Sequence, residues 1–314
     1  MKSGQAPFTF SYSEDLRTLP ESALSQEEKL HGGFAVDKRP GQGEVFYGMP
    51  GHGLMKVKAD LTSQETIELP SDLKPLNLHS TKIGMFDGKT RLFVAANEDA
   101  RVAVLTLEGE LEYLFEVPEF DVYRSEGVAF KPTDTSLVGN ELFVADGYGR
   151  NYISVADLNA QKWTRFFAGK TTDPNELGKF GTAHGMNRSP GGKTLAIADR
   201  PHSRVEIADH HGDIRVSHAL PDGSTPCGID FAEIDGAWYA AVGSLNDPQE
   251  GRAAPIYILD AETYHVVSTI RPKEELGVPL ADHMHNVVWH QRDGETHLVC
   301  QAWNPGYYFV LNME

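Results

Sequence analysis

Apolar and polar residues alternate with a period of two along most of the chain, in short runs that return in the same order. Apolar runs at 92–96, 142–145, 195–198, 238–242 and 298–302 share one character, and each is followed by a polar or glycine-rich break. After the break comes another run, at 102–105, 152–156, 204–208, 255–259 and 307–311. A fourth, amphipathic run closes most units, as at 111–117 and 163–168, and a short apolar run opens them, as at 126–130. Alternation, β-branched and aromatic enrichment, and punctuation by Gly, Asp, Asn and Pro predict strands throughout. In the earliest unit the second and third strands fall at 44–47 and 54–58, and one short helix is predicted over 21–29.

A unit of about fifty residues, recurring six times, points to a propeller or solenoid before other architectures. The sixth unit runs out at Glu314 after three strands, while the alternating stretch 8–12 belongs to no unit. That stretch is predicted to supply the missing outer strand, because closing the ring removes sheet edges that invite aggregation. The expected fold is all-β: a six-bladed β-propeller with four-stranded blades, closed by an N-terminal strand, with residues 1–314 forming a single domain. Irregular spacing of the units places extra residues in loops at 169–181, 243–254 and 272–282, where they can roof one face.

Composition narrows the function classes. With 30 glycines and 18 prolines among 314 residues the chain suits one turn-rich β domain. Its formal charge of −17 argues against nucleic acid, whose phosphates need clustered Lys and Arg, and against anionic membrane surfaces. The expected partner is a small-molecule substrate, with no nucleic acid and no membrane; the oligomeric state is not legible. Two cysteines, Cys227 and Cys300, make no disulfide framework and no Cys/His zinc-finger spacing. Residues 1–10 lack the apolar core of a signal peptide, so a cytoplasmic location is expected, although a removed leader would leave no trace.

One position in the unit carries candidate chemistry. The clearest copies hold His79, His184 and His285 there; the others hold His31 or Gly32, Glu126 and Cys227. In a propeller, residues at one phase of the innermost strands form a ring around the channel. Three neutral imidazoles with an open fourth position suit a catalytic divalent transition metal. His31 and Glu126 share the phase and are candidate ligands or supporting partners. His283 lies two residues from His285 and ranks below it, as an alternative ligand or a lid-holding residue. His52 fits a tight turn; His202, His210, His211, His218, His265, His290 and His297 are expected to be solvated. Cys227 reads as a buried structural thiol. The breaks beginning at Asp146 and Asp199 carry Tyr148 and Arg200 toward the channel, where a tyrosine can transfer a proton and an arginine can clamp a carboxylate. Local turn chemistry is the simpler reading of both breaks.

These residues resemble the NHL-repeat propellers, and among them peptidylglycine α-hydroxyglycine amidating lyase. The segment 142–148 is similar to that family's strand ending in a catalytic tyrosine, 181–185 with 195–200 to its second zinc-histidine blade, 282–286 to the third histidine segment, and 77–79 to the first. The resemblance implies Zn²⁺ (or another divalent transition metal) on His79, His184 and His285, Tyr148 as base, and Arg200 near the substrate. It implies a lyase reaction in which a carbinolamide loses a proton and its C–N bond splits. Gly48, Met49 and Pro50 stand where the family has a substrate-binding arginine, and Gly149 where it has a cysteine. Asn286 replaces the acidic residue after the third histidine, which argues against the family's structural Ca²⁺. Two other readings belong to different classes: a calcium-dependent lactonase or esterase using Glu126, Asn97, Asn187 and Asp146, and a non-catalytic NHL interaction module.

Overall fold

The computed structural model describes every residue except Gln26, Glu126 and Val128. Six antiparallel sheets make a six-bladed β-propeller: five have four strands, and the sixth has five. The inner strands are Ala35–Val36, Leu78–Phe86, Asp134–Val138, Ala183–Arg188, Pro226–Ile234 and Met284–Arg292. Strands of the type Leu92 to Ala96 read as near-continuous apolar runs because each blade is covered on both faces by its neighbours.

The ring closes as the sequence requires. Phe8–Tyr12 pairs antiparallel with Tyr307–Met313, setting Phe10 opposite Met313 and Tyr12 opposite Leu311. Phe8 and Phe10 are buried beside Trp289, with ring centroids 6.4 and 6.1 Å from it. Each buried phenylalanine stabilises the closure by about 2–3 kcal/mol. A further strand, Ser3–Gln5, adds a fifth member outside it.

Two expectations change. The predicted helix over 21–29 is a single α-turn, Glu21–Leu24, followed by a 3-10 turn, Glu27–Lys29. Among the described residues there are also a 3-10 turn, Glu14–Leu16, and two short α-helices, Asp121–Arg124 and Pro272–Leu276. The second carries signals visible in sequence, a proline at its start and left-handed Gly277 just past its end.

In the third blade the inner strand is Asp134–Val138 rather than 126–130. Phe130, the apolar residue that made 126–130 look like a strand, packs edge-on against Tyr123 as part of the connection from the preceding helix. The ring position of this blade is therefore Thr133. Asp134 faces Ala145 as Ser80 faces Ala95, Gly185 faces Ala198 and Asn286 faces Gln301, so Thr133 precedes it as the histidines precede the others. Glu126 lies outside the described residues.

Just inside the ring positions, a belt of polar side chains stitches neighbouring inner strands together. Asp134 accepts from Ser80 Oγ, from Met186 N at 2.8 Å and from Thr135 N at 2.8 Å, and Lys82 Nζ lies 3.2 Å away. Asp230 accepts from Trp289 N at 2.8 Å and from Lys38 Nζ at 2.7 Å. Asn286 Oδ1 accepts from Phe34 N at 3.0 Å, joining blade six to blade one. This structural work is what Asn286 does at the position where the resembling family carries an acid. Among the described residues no helix is long and apolar enough to cross a membrane.

Candidate metal centre

The three histidines reach the channel by a shared device. At His79, His184 and His285 the pairing register of the inner strand shifts, with one extra residue between neighbouring ladder positions. Such a bulge re-aims the side chain out of the sheet. The same irregularity lies at Cys227, between the Pro226 and Ile229 pairings, so blade five shares the phase. The three imidazoles converge: ring centroids are 5.0 Å apart for His79 and His184, 4.8 Å for His184 and His285, and 4.9 Å for His79 and His285.

His31 joins them from the segment before the first inner strand, 4.8 Å from His79 and 4.5 Å from His285. Among the described residues, ligand atoms of His31, His79 and His285 all lie within 4.8 Å of one another. This group and the predicted triad share His79 and His285; the His184 ring stands beside both, but its ligand atoms are not in the group, where His31 takes its place.

Hydrogen bonds say which nitrogens are free. His79 Nδ1 sits 2.7 Å from the Thr133 carbonyl, which can only accept. Nδ1 therefore carries the proton, and Nε2 is left with a lone pair, 3.3 Å from Tyr148 Oη, the usual tautomer of a metal-binding histidine. Both ring nitrogens of His285 are buried without any partner. A buried polar atom left unpaired costs about 1–3 kcal/mol, so an orphaned imidazole points to a missing ligand. His184 Nε2 is 2.9 Å from Tyr148 Oη, and its Nδ1 faces the Cys227 backbone outside good hydrogen-bond geometry. Asn77 Nδ2 lies 3.2 Å from His31 Nδ1 and 3.0 Å from Asn97 Oδ1. Turning both amides by half a turn lets Asn77 accept from His31 Nδ1 and frees Nε2, and it pairs Asn97 Nδ2 with Asn77, whose Oδ1 is otherwise unsatisfied.

Burial, the first cause in each case, holds His79, His184 and His285 well below the ordinary imidazole range and lowers His31 to about 4. These rings are neutral, the form that ligates.

Tyr148 and Arg200 form the rim. Arg200 Nη1 donates to Tyr148 Oη at 2.9 Å, and Tyr148 Oη is also 3.3 Å from His79 Nε2. One phenol thus touches two ring histidines and a guanidinium. Burial pushes the Tyr148 hydroxyl up, and the Arg200 charge pulls it down. Arg200 Nη2 and Nε point at Cys227 Sγ, at 3.1 and 3.3 Å. Cys227 is a free, fully buried thiol, as is Cys300, and burial raises both. Trp303, which sequence reasoning missed, stacks on His31 at 5.1 Å. It follows the second strand of its blade as Arg200 does in its own, so alignment of the repeats alone could have found it.

Other candidates lie apart from the ring. His283 Nδ1 bonds the Leu245 carbonyl at 2.6 Å and so ties down the 243–254 loop. Asp146 accepts from Lys131 N, Arg150 N and Tyr123 Oη, and Asp199 from Gly181 N and Thr182 N, so both acids serve their turns. Asn187 bonds Asp230 and the Ile229 carbonyl. Of the donors of the calcium reading, Asn97, Asn187 and Asp146 are therefore engaged separately, and Glu126 lies outside the described residues. His52 bonds Thr66 across its turn. Two histidines expected in solvent are drawn inward instead: half-buried His202, 2.7 Å from Asp199, and fully buried His290, whose Nε2 faces the Gly43 carbonyl at 3.0 Å.

No family model matches the chain, and no curated protein does. Among solved structures, that of a streptogramin B lyase is similar to it with a TM-score of 0.55 at 12% identity, over 90% of this chain and 93% of that one. At that identity the likeness shows a common propeller fold and nothing finer.

Proposed function

We propose that the protein is a metal-dependent propeller lyase acting on a small polar or anionic substrate. The observation that carries the reading is His285, a neutral, buried imidazole with neither nitrogen partnered, facing three more imidazoles. His79 and His285 belong to both triads; His31 completes the tighter one and His184 the one in strand register. An all-imidazole donor set suits Zn²⁺ or a neighbouring transition ion rather than Ca²⁺. When bound, such an ion supplies Lewis acidity toward a hydroxyl or carbonyl oxygen.

The chain's own residues divide the remaining work. Tyr148 Oη is the atom that holds or moves the proton, since it already bonds His184 and accepts from Arg200. Arg200 favours the phenolate and can orient an anionic group, which would displace the weak thiol contact to Cys227. The neighbour of the same fold is named a lyase, which supports the reaction class only by analogy of scaffold.

The test is metal content of purified full-length protein reconstituted with zinc, alongside His31→Ala, His184→Ala and His285→Ala. One ion per chain, lost in His285→Ala, is the expected result, and the other two variants identify the third ligand. Absence of stoichiometric metal, or its retention in His285→Ala, removes the proposal.

A further inference from the structure

The inner strands that carry the histidines at one end open at the other into a cavity of about 820 Å³. On the Ala183–Arg188 strand, His184 faces the metal centre and Arg188 the cavity. Four residues of strand separate them by roughly 13 Å. Between the two lies the belt of Asp134, Asp230 and Asn286, so the cavity is a site of its own.

Its charge runs against that of the molecule. Lys38, Arg39, Lys82 and Arg188 line it, against Asp37 and Asp230, on a chain of formal charge −17. Three of these cations are already paired. Lys38 Nζ donates to Asp230 and the Phe231 carbonyl, Arg39 to Asp37, and Lys82 is matched by Asp134. Arg188 alone has no acidic partner within 4.0 Å among the described residues, and its guanidinium lies over Gly192. Apolar wall comes from Phe231 and Val288, and Trp238 is 42% exposed at the edge. The volume is in the range of small-molecule sites, which combine apolar lining with a few placed polar groups.

We infer that this cavity binds a small organic anion, its carboxylate on the Arg188 guanidinium and its apolar body against Trp238 and Phe231. One unpaired guanidinium matches one carboxylate through two parallel hydrogen bonds, and the paired lysines leave no vacancy for a polyanion.

Phenylbutyrate and its neutral amide, titrated calorimetrically into the full-length protein, test the assignment. The carboxylate should bind saturably and the amide about tenfold more weakly. Arg188→Gln should weaken the carboxylate by about tenfold and Trp238→Ala by a smaller factor, while Tyr148→Phe, at the other mouth, should leave it unchanged. Both Arg188 and Trp238 are exposed, so neither replacement threatens folding. No saturable binding at millimolar concentrations, equal binding of the amide, or a loss caused by Tyr148→Phe instead of Arg188→Gln would overturn it. Loss of metal from the histidine ring does not enter any of these outcomes.

Discussion

The two mouths of the channel are built from the same inner strands yet treat polar groups in opposite ways. At the histidine end, buried imidazoles converge with nitrogens left without partners. A few residues farther along, in the belt and the second cavity, nearly every charge has its counterpart: Asp134 with Lys82, Asp230 with Lys38, Asp37 with Arg39. Saturated polar groups hold a structure together, whereas unsaturated ones are tolerated at a cost because something else completes them. By that criterion the belt is architecture, the histidine ring is the candidate site, and Arg188 is the one point in the far mouth where the pattern breaks.

The contrast predicts mutational effects of opposite sign. Asp134→Ala should be the most damaging, by about 3–5 kcal/mol, because it strands Lys82 and three hydrogen-bond donors in the interior. Urea denaturation checks this, and a loss below about 1 kcal/mol would dissolve the distinction.

A second effect sets a buried imidazole with one nitrogen bonded beside His285, which has neither. His290, lowered to about 4 by burial and then by His297, is neutral when folded and gains a proton on unfolding at acidic pH. The unfolded chain therefore binds more protons from pH 6.5 down to about 4, and stability falls through that window. This one histidine contributes about 1.4 kcal/mol per pH unit, an increment that His290→Gln should remove from the measured pH profile.

The smallest effect is the most diagnostic. In metal-free protein His285→Leu should raise stability by about 1–2 kcal/mol, since it deletes two unpaired buried nitrogens while keeping an apolar body. The same variant should fail to hold metal. Destabilisation of the metal-free protein would mean that His285 has a structural partner after all, and the contrast between the mouths would fail.

Much of this was legible in the chain. The runs at 92–96, 142–145 and 195–198 declare themselves because a strand covered on both faces must be apolar at nearly every position. His79, His184 and His285 stood out because the same residue type recurred at the same phase. The third blade misled for a physical reason. Its inner strand has five residues against nine in the second blade and opens on polar Asp134, whereas the neighbouring 126–130 stretch is more apolar. Sequence could not rank His31 with the other three, because it enters from a connection and owes its place to tertiary packing. Nor could it distinguish a solvated His290 from a buried one, as that depends on Gly43 arriving from a distant blade.

The pairing of Phe10 with Met313 has a consequence for how the protein comes into being. Blades two to five can pack in order as the chain leaves the ribosome, each against the blade made before it. The sixth cannot, because its outer strand is synthesised first and its inner strand near the end. His285 is thus late to take its place, and the ring of imidazoles is not assembled until Phe8–Tyr12 and Tyr307–Met313 meet. On the proposed function, loading of an ion would be tied to completion of the fold: a partly made propeller offers scattered histidines, and only the finished one brings them together.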